Sequence, residues 1–266
     1  MTATAAQPLA KEIGDLLASL PKELGALNSC PTLPENVASI IDHTLLAPTA
    51  TPSAILETCR EAVELGAATV CVNSCMVQYA AEALRGTEVR PICTVGFPFG
   101  AASPASKAEE TRQAVADGAR EIDMVQNVGL LKSGDYDAVY NDIVGVVDAA
   151  KTGQAAPVKV ILETCYLSRD EIAIATLLSC LAGAAFVKTS TGYGTGGAKA
   201  EDIRLMYEIA SKRKVQVKAS GAVRTLETVK TMVANGATRV GASGTKAIVA
   251  EAQGTGDAKQ ASNSGY

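Results

Sequence analysis

Eight short runs rich in β-branched and aliphatic residues recur from about residue 38 onward, and longer amphipathic stretches separate them. The runs lie at 38–42, 68–72, 89–96, 121–125, 158–163, 185–189, 215–220 and 238–242. Strands that alternate with helices form parallel sheets, because a parallel connection needs a crossover of about a dozen residues. A count of eight favours a (β/α)8 TIM barrel, with a doubly wound open sheet as the alternative.

Glycines mark the ends of four helical stretches. Gly66, Gly118, Gly183 and Gly236 each precede an alanine just before the next strand. Glycine at this position is typical of a left-handed helix C-cap, and Ser or Thr before several of the stretches is typical of an N-cap. We therefore expect strand and helix to alternate throughout the barrel.

The repeating pattern does not extend over the whole chain. We expect residues 1–35 to form an N-terminal helical extension, residues 36–252 to form the barrel as the catalytic domain, and residues 253–266 to form a flexible tail. The tail is rich in Gly, Ser and Ala, as flexible segments are.

Composition excludes several kinds of partner. The net charge is −4 and there is no basic run, so we expect neither nucleic acid nor an anionic membrane surface as a partner. No apolar run approaches the roughly 20 residues that span a bilayer. Seven cysteines, with no regular framework in a chain of 266 residues, favour a reducing compartment, and we expect a cytoplasmic protein.

Ionisable residues lie where the chemistry of a barrel enzyme is found, at the carboxyl ends of the strands. In the predicted strands, Asp42 ends the first and Glu163 the fifth, while Asp123 lies in the fourth. Lys188 ends the sixth and Lys218 the seventh. Two lysines on adjacent strands are unusual, because a buried lysine is costly without a partner.

This pair of lysines points to a specific chemistry. A protonated lysine cannot attack a carbonyl group. Two ammonium groups about 6 Å apart repel each other by roughly 3 kcal/mol at an effective dielectric near 20, and burial acts in the same direction. Either Lys188 or Lys218 thus becomes a neutral amine near neutral pH, as Schiff-base enzymes require. The alternative is that both are ordinary surface residues.

Glycine-rich turns follow three of the strands. Gly192, Gly194 and Gly197 match G-x-G-x-x-G, but the sixth β/α unit is the wrong place for a dinucleotide fingerprint. Turns at 220–222 and 241–244 follow strands seven and eight, where barrel enzymes bind phosphate through backbone N–H groups. We interpret these turns as a phosphate site, with plain tight turns as the alternative.

Metal ligands are scarce. The only histidine is His43, interpreted as an orienting or packing residue, and Cys71 and Cys75 form a lone C-x-x-x-C. Zinc sites need more ligands than this. We expect neither a metal nor a cofactor.

Six segments of the chain resemble the 2-deoxyribose-5-phosphate aldolase family. They are IDHTLL (41–46), EIDMV (121–125), KVILET (159–164), FVKTSTGY (186–193), VKASGAVRT (217–225) and VGASG (240–244). The resemblance implies a class I aldolase of deoxyribose phosphate catabolism on a (β/α)8 barrel. This lyase would reversibly cleave 2-deoxy-D-ribose 5-phosphate to acetaldehyde and D-glyceraldehyde 3-phosphate. Its partners would be the small-molecule sugar phosphate and acetaldehyde, with a homodimer as the assembly common in the family.

The resemblance also assigns roles to residues. Lys188 is similar to the Schiff-base lysine, Lys218 to the lysine that lowers its pKa, and Asp123 to the carboxylate of the proton relay. Further matches are with substrate- and phosphate-binding positions, namely Thr191, Gly192, Gly221, Gly241 and Ser243, and with positions near the relay, namely Asp42 and Thr44.

Two tyrosines lie at positions where members of the family differ from one another. Some members of the family have a phosphate-holding lysine where this chain has Tyr193, so an ion pair with the phosphate is absent from the pattern. Tyr266 is similar to a C-terminal tyrosine that assists proton transfer in some members, with an unstructured tail as the alternative. Two other functions also fit the residues: a Schiff-base aldolase for a different sugar phosphate, and a sugar-phosphate-binding barrel without activity.

Overall fold

Eight parallel strands close into a barrel in the order of the chain, and the last strand pairs with the first. The structure is a computed structural model that describes residues 6–27, 29 and 31–255. The strands are β1 Ile41–Leu45, β2 Thr69–Asn73, β3 Arg90–Val95, β4 Glu121–Val125, β5 Val158–Ile161, β6 Phe186–Lys188, β7 Gln216–Ser220 and β8 Arg239–Ala242. The predicted barrel is confirmed and the open sheet is excluded.

Helices surround the barrel. They are α1 Ala6–Ser19, α2 Pro52–Leu65, α3 Val77–Ala83, α4 Pro104–Ala116, α5 Val128–Lys132, α6 Tyr136–Ala149, α7 Arg169–Leu181, α8 Ala200–Ala210, α9 Leu226–Ala234 and α10 Thr245–Ala252. The first of these precedes the barrel and packs against α7. In the part of the chain that the structure describes, no helix is both long and apolar enough to cross a membrane.

Local sequence signals define the helix ends as predicted. The side chains of Thr51, Ser103 and Ser168 accept backbone N–H groups at the starts of α2, α4 and α7. The glycines that precede strands β2, β4, β6 and β8 all have positive φ; they are Gly66, Gly118, Gly183 and Gly236. Glycine adopts this conformation without the cost that a Cβ atom adds.

The first strand starts later than predicted. Asn36 accepts the N–H of Ala38 through its side chain and begins a turn of 3-10 helix at Val37–Ile40. The strand therefore runs over 41–45, and Asp42 is its second residue rather than its end.

Lys218 also lies deeper than predicted. It is the third residue of β7, because pairing of this strand with β8 continues through Ser220 and Gly241. Lys188 ends β6 as predicted. Both corrections move charged groups from the mouth of the barrel into its interior.

Side chains alternate between two environments along the strands, as the period of a β-strand requires. In β4, Ile122 and Met124 belong to the hydrophobic core, whereas Glu121 and Asp123 take part in ion pairs. The charged network therefore lies inside the barrel, the larger apolar core lies between the strands and the helices, and Leu46, Cys71 and Ile92 form a separate, smaller apolar cluster.

Candidate active site

Lys188, Lys218 and Asp123 meet inside the barrel. The ammonium groups of Lys188 and Lys218 donate to the same carboxylate oxygen, Oδ2 of Asp123, at 2.8 and 2.7 Å. All three side chains are buried, with exposures of 4%, 1% and 0%. The structure thus brings the three residues together, and burial strengthens each interaction among them.

A third lysine in this cluster, Lys159, was missed by the sequence analysis. Its ammonium group donates to Oδ1 of Asp123 at 2.8 Å and lies 2.5 Å from Oε2 of Glu121. Lys159 stands in the middle of β5 between two valines, where alternation indicates an inward side chain. This signal was available, but Lys159 does not lie at a strand end and was not considered.

Asp42 distinguishes the two lysines of the predicted pair. It forms an ion pair with Lys218, and its other oxygen accepts from Arg239 and from Thr69, each at 2.8 Å. Lys218 therefore has two carboxylate partners. Lys188 has one, Asp123, in the part of the chain that the structure describes.

The pKa values of the two lysines move in opposite directions. Burial lowers the pKa of Lys188. The charge of Asp123 partly offsets this decrease, and the charge of Lys218 adds to it. Burial also acts to lower the pKa of Lys218, but Asp123 and Asp42 together raise it above its ordinary value. Burial lowers the pKa of Lys188 more than the repulsion from Lys218 does, although repulsion was the predicted main cause.

The ionised state of Asp123 is secured by its surroundings. Burial acts to raise the pKa of this carboxyl, but Lys159, Lys188 and Lys218 hold it well below its usual range. Asp123 therefore stays ionised in the resting site and is a weak base.

Seven charged side chains form one connected network inside the barrel. The carboxylates are Asp42, Glu121 and Asp123, and the cations are Lys159, Lys188, Lys218 and Arg239. Four cations against three anions leave one positive charge in excess, which is costly in a buried place. A neutral Lys188 balances the network.

The predicted phosphate turns follow β6, β7 and β8, but the last two start later than predicted, because β7 and β8 extend through Ser220 and Ala242. Gly192 and Gly221 have φ values of 88° and 80°. Gly241 lies in β8, where a Cβ atom would be 3.1 Å from Cε of Lys218, so glycine leaves room for that lysine. Ser243 follows β8, immediately before Gly244 and the first turn of α10.

Thr191 is placed differently from the glycines. Its N–H lies 3.3 Å from each carboxylate oxygen of Glu163, and its hydroxyl also donates to that carboxylate. Both polar donors of Thr191 are thus engaged within the protein. This arrangement supports a role in holding the loop after β6.

Thr44 and Tyr193 lie at the β1 side of the site. The Thr44 hydroxyl donates to the carbonyl of Asp42 at 2.8 Å. The hydroxyl of Tyr193 donates to the carbonyl of Leu46 at 2.9 Å, and so links the loop after β6 to the end of β1. Tyr266 lies outside the described residues.

His43 has a packing environment. Burial lowers its pKa, and Nδ1 lies 2.8 Å from the hydroxyl of Thr245, the first residue of α10. The ring thus joins β1 to the last helix of the barrel.

Comparisons with known proteins agree with this geometry. The family described as "DeoC/LacD family aldolase" matches residues 36–251. The deoxyribose-phosphate aldolase of Clostridium novyi is 51% identical over 231 residues, which cover 87% of this chain and 100% of the relative.

Solved structures give the same result. A protein from Coccidioides immitis has a TM-score of 0.89 and 40% identity, over 95% of this chain and 100% of its own. The deoxyribose phosphate aldolase of Aeropyrum pernix, described as a tetrameric structure, has a TM-score of 0.77 and 29% identity. The match covers 94% of this chain and 98% of that relative. The chain belongs to the DeoC/LacD family of aldolases.

Proposed function

We propose that this enzyme is a class I aldolase that reversibly cleaves 2-deoxy-D-ribose 5-phosphate to acetaldehyde and D-glyceraldehyde 3-phosphate. The observation that carries the proposal is the position of Lys188, which is buried, has one carboxylate partner and balances the charged network when it is neutral. A neutral amine in such a place is the nucleophile that Schiff-base chemistry needs. The names of relatives at about half identity support the substrate.

The first steps form a covalent intermediate. The neutral amine of Lys188 attacks C1 of the open-chain sugar phosphate and gives a carbinolamine. Loss of water then gives an iminium, whose positive charge makes it an electron sink. Lys218 stays protonated, because it is held by two carboxylates, and supplies a proton donor and a positive charge beside the reacting atoms.

Cleavage follows from the iminium. A water beside Asp123 carries the proton of the C3 hydroxyl to the Asp123 carboxylate, and the C2–C3 bond breaks. Its electrons form an enamine on Lys188, and D-glyceraldehyde 3-phosphate leaves. Protonation of the enamine at C2 and hydrolysis release acetaldehyde and restore the amine. Asp123 holds this proton only transiently, because its low pKa makes it a weak base, and the proton returns through the water to C2 of the enamine.

The substrate phosphate has a natural place on the turns after β6, β7 and β8. Gly192, Gly221 and Ser243 lie on these turns, and Ser243 lies before a helix N-terminus, whereas Gly241 lies in β8 just before the last turn. Backbone N–H groups and helix dipoles favour anions. Tyr193 stands where some members have a lysine, so we assign phosphate binding to the turns.

Several broader assignments accompany this proposal. We assign catalysis to the barrel of residues 36–252, because every described residue of the proposed site lies within it. We also propose a cytoplasmic enzyme that needs no metal or cofactor for this chemistry. A homodimer stays a prediction; the relative from Aeropyrum pernix is described as tetrameric.

Product analysis tests the proposed reaction. Incubation with 2-deoxy-D-ribose 5-phosphate should release acetaldehyde and D-glyceraldehyde 3-phosphate in equal amounts. Proton and phosphorus NMR measure the two products. A Lys188→Ala variant should release neither product. Turnover of a different sugar phosphate in preference to this one would point to another Schiff-base aldolase.

A further inference from the structure

Glu163 is a buried carboxylate that the proposed reaction does not use. It follows β5 with φ 56° and ψ 60°, a left-handed conformation that residues other than glycine rarely adopt, and it is 3% exposed. Such a conformation persists when the surroundings determine it.

The carboxylate of Glu163 fixes the orientation of Thr191. It accepts the N–H and the hydroxyl proton of Thr191. The Thr191 oxygen in turn accepts the N–H of Tyr193 at 3.0 Å. A carboxylate has no proton to donate, so it forces the hydroxyl to point towards it and leaves the lone pairs for Tyr193.

The same loop is held at two further points. A Cβ atom at Gly194 would lie 3.2 Å from Cδ and Oε1 of Glu163, so this backbone packs directly on the carboxylate. Further along, a Cβ atom at Gly197 would lie 2.4 Å from the carbonyl oxygen of Gly221, and the N–H of Ala198 donates to that oxygen at 3.0 Å. Loop 191–198 thus connects Glu163 to the turn after β7.

Lys188 is held independently of this carboxylate. Its backbone carbonyl accepts the N–H of Leu162 at 2.9 Å, and its ammonium group pairs with Asp123. Neither contact involves the side chain of Glu163. A change confined to that side chain should therefore leave the amine in place.

We propose that Glu163 is a positioning residue for the phosphorylated substrate, which holds loop 191–198, and through it the turn at Gly221, in the geometry that binds phosphate. This inference rests on the proposed function. The carboxylate acts through Thr191 and is covered by the loop, so its own charge meets N–H and O–H donors rather than the substrate phosphate.

The test is a Glu163→Gln variant, in which the side-chain amide presents N–H donors as well as an acceptor to Thr191. The KM for 2-deoxy-D-ribose 5-phosphate should rise about tenfold or more, as expected for a lost hydrogen bond to a charged group, with kcat changed less than about threefold. The rate of borohydride-trapped adduct formation with acetaldehyde, which has no phosphate, should stay within about twofold of the unaltered chain.

Two further variants separate positioning from other effects. Thr191→Val should raise KM in the same direction, and the double variant should raise it little beyond the larger single effect, because both changes break one interaction. Additive effects would instead indicate that Thr191 contacts the phosphate directly. Glu201→Gln changes the same charge on an exposed side chain and should leave KM unchanged.

The outcomes are distinct. An unchanged KM in both Glu163→Gln and Thr191→Val would overturn the inference, as would additive effects or adduct formation that falls in step with turnover. If Glu163→Gln fails to fold, the KM of Thr191→Val decides. Absence of turnover in the unaltered chain would contradict the proposed function instead, and adduct formation with acetaldehyde would still show whether Glu163 acts on Lys188.

Discussion

Lys188 and Lys218 are direct partners in the register of β6 and β7, and both donate to the same oxygen of Asp123. Their pKa values nevertheless move apart. The difference comes from Asp42, which pairs with Lys218. One barrel position thus holds, side by side, two amines whose pKa values move to opposite sides of the ordinary lysine value, as Schiff-base chemistry requires.

Removal of the second ammonium group should change the pH dependence of the reaction. In Lys218→Met, the neighbouring positive charge is lost, so the pKa of Lys188 should rise and less of it is neutral at a given pH. The acid limb of kcat/KM should move to higher pH, and activity at neutral pH should fall about a hundredfold or more, since a proton donor is also lost. A pH–rate profile measures both, and an acid limb that stays in place would contradict the account.

Asp42→Asn should bring the pKa values of Lys188 and Lys218 closer together. Lys218 loses one of two carboxylate partners, so its pKa should fall and the alkaline limb of kcat should move to lower pH. We expect a loss in kcat of about tenfold or more, because a less charged Lys218 also favours protonation of Lys188. Asp148→Asn makes the same change at an exposed carboxylate that pairs with Lys151, and its alkaline limb should stay unchanged.

Replacement of Lys188 should stabilise the protein near neutral pH. The folded pKa of Lys188 is depressed, so between that value and the ordinary lysine pKa the amine must release a proton on folding. This costs free energy that diminishes as pH rises. Lys188→Met avoids the cost, so its free energy of unfolding should exceed that of the unaltered chain near neutral pH.

The difference in free energy of unfolding between Lys188→Met and the unaltered chain should decrease as pH increases towards the ordinary lysine pKa. Urea unfolding at several pH values measures it. A variant that is less stable near neutral pH would show that Lys188 is charged in the folded state, because its loss would then break a buried ion pair.

Lys159 should matter for stability as well as for the site. Lys159→Met leaves Asp123 and Glu121 with fewer cationic partners in a fully buried place, and loss of one member of a buried pair costs about 3–5 kcal/mol. Lys151→Met removes an exposed ion pair with Asp148, which contributes under about 1 kcal/mol. Similar unfolding free energies for the two variants would contradict the buried network.

Gly221→Ala should weaken binding of the phosphorylated substrate. Its φ is 80°, and an added Cβ atom would meet Gly197 and Ser190 at 3.1 Å, so the turn must shift. We expect the KM for 2-deoxy-D-ribose 5-phosphate to rise about tenfold. Gly153→Ala has a similar φ of 70° and open space around it, so it should cost about 1 kcal/mol of stability and leave KM unchanged.

Much of this architecture could be predicted from the sequence. Eight alternating units gave the barrel, and the positions of Lys188 and Lys218 on consecutive strands brought the two together. Alternation in β5 indicates an inward Lys159, but neither its level in the barrel nor the contact between Asp42 and Lys218 could be predicted. The level of each residue inside a barrel depends on the stagger between strands, and a single sequence does not show that stagger.

The covalent role of Lys188 has a direct test. The chain is treated with acetaldehyde and borohydride, digested, and analysed by mass spectrometry, with Lys188→Ala in parallel. A two-carbon adduct on Lys188, absent from Lys218 and from the variant, is the predicted result. An adduct on Lys218, or none on Lys188, would contradict the account.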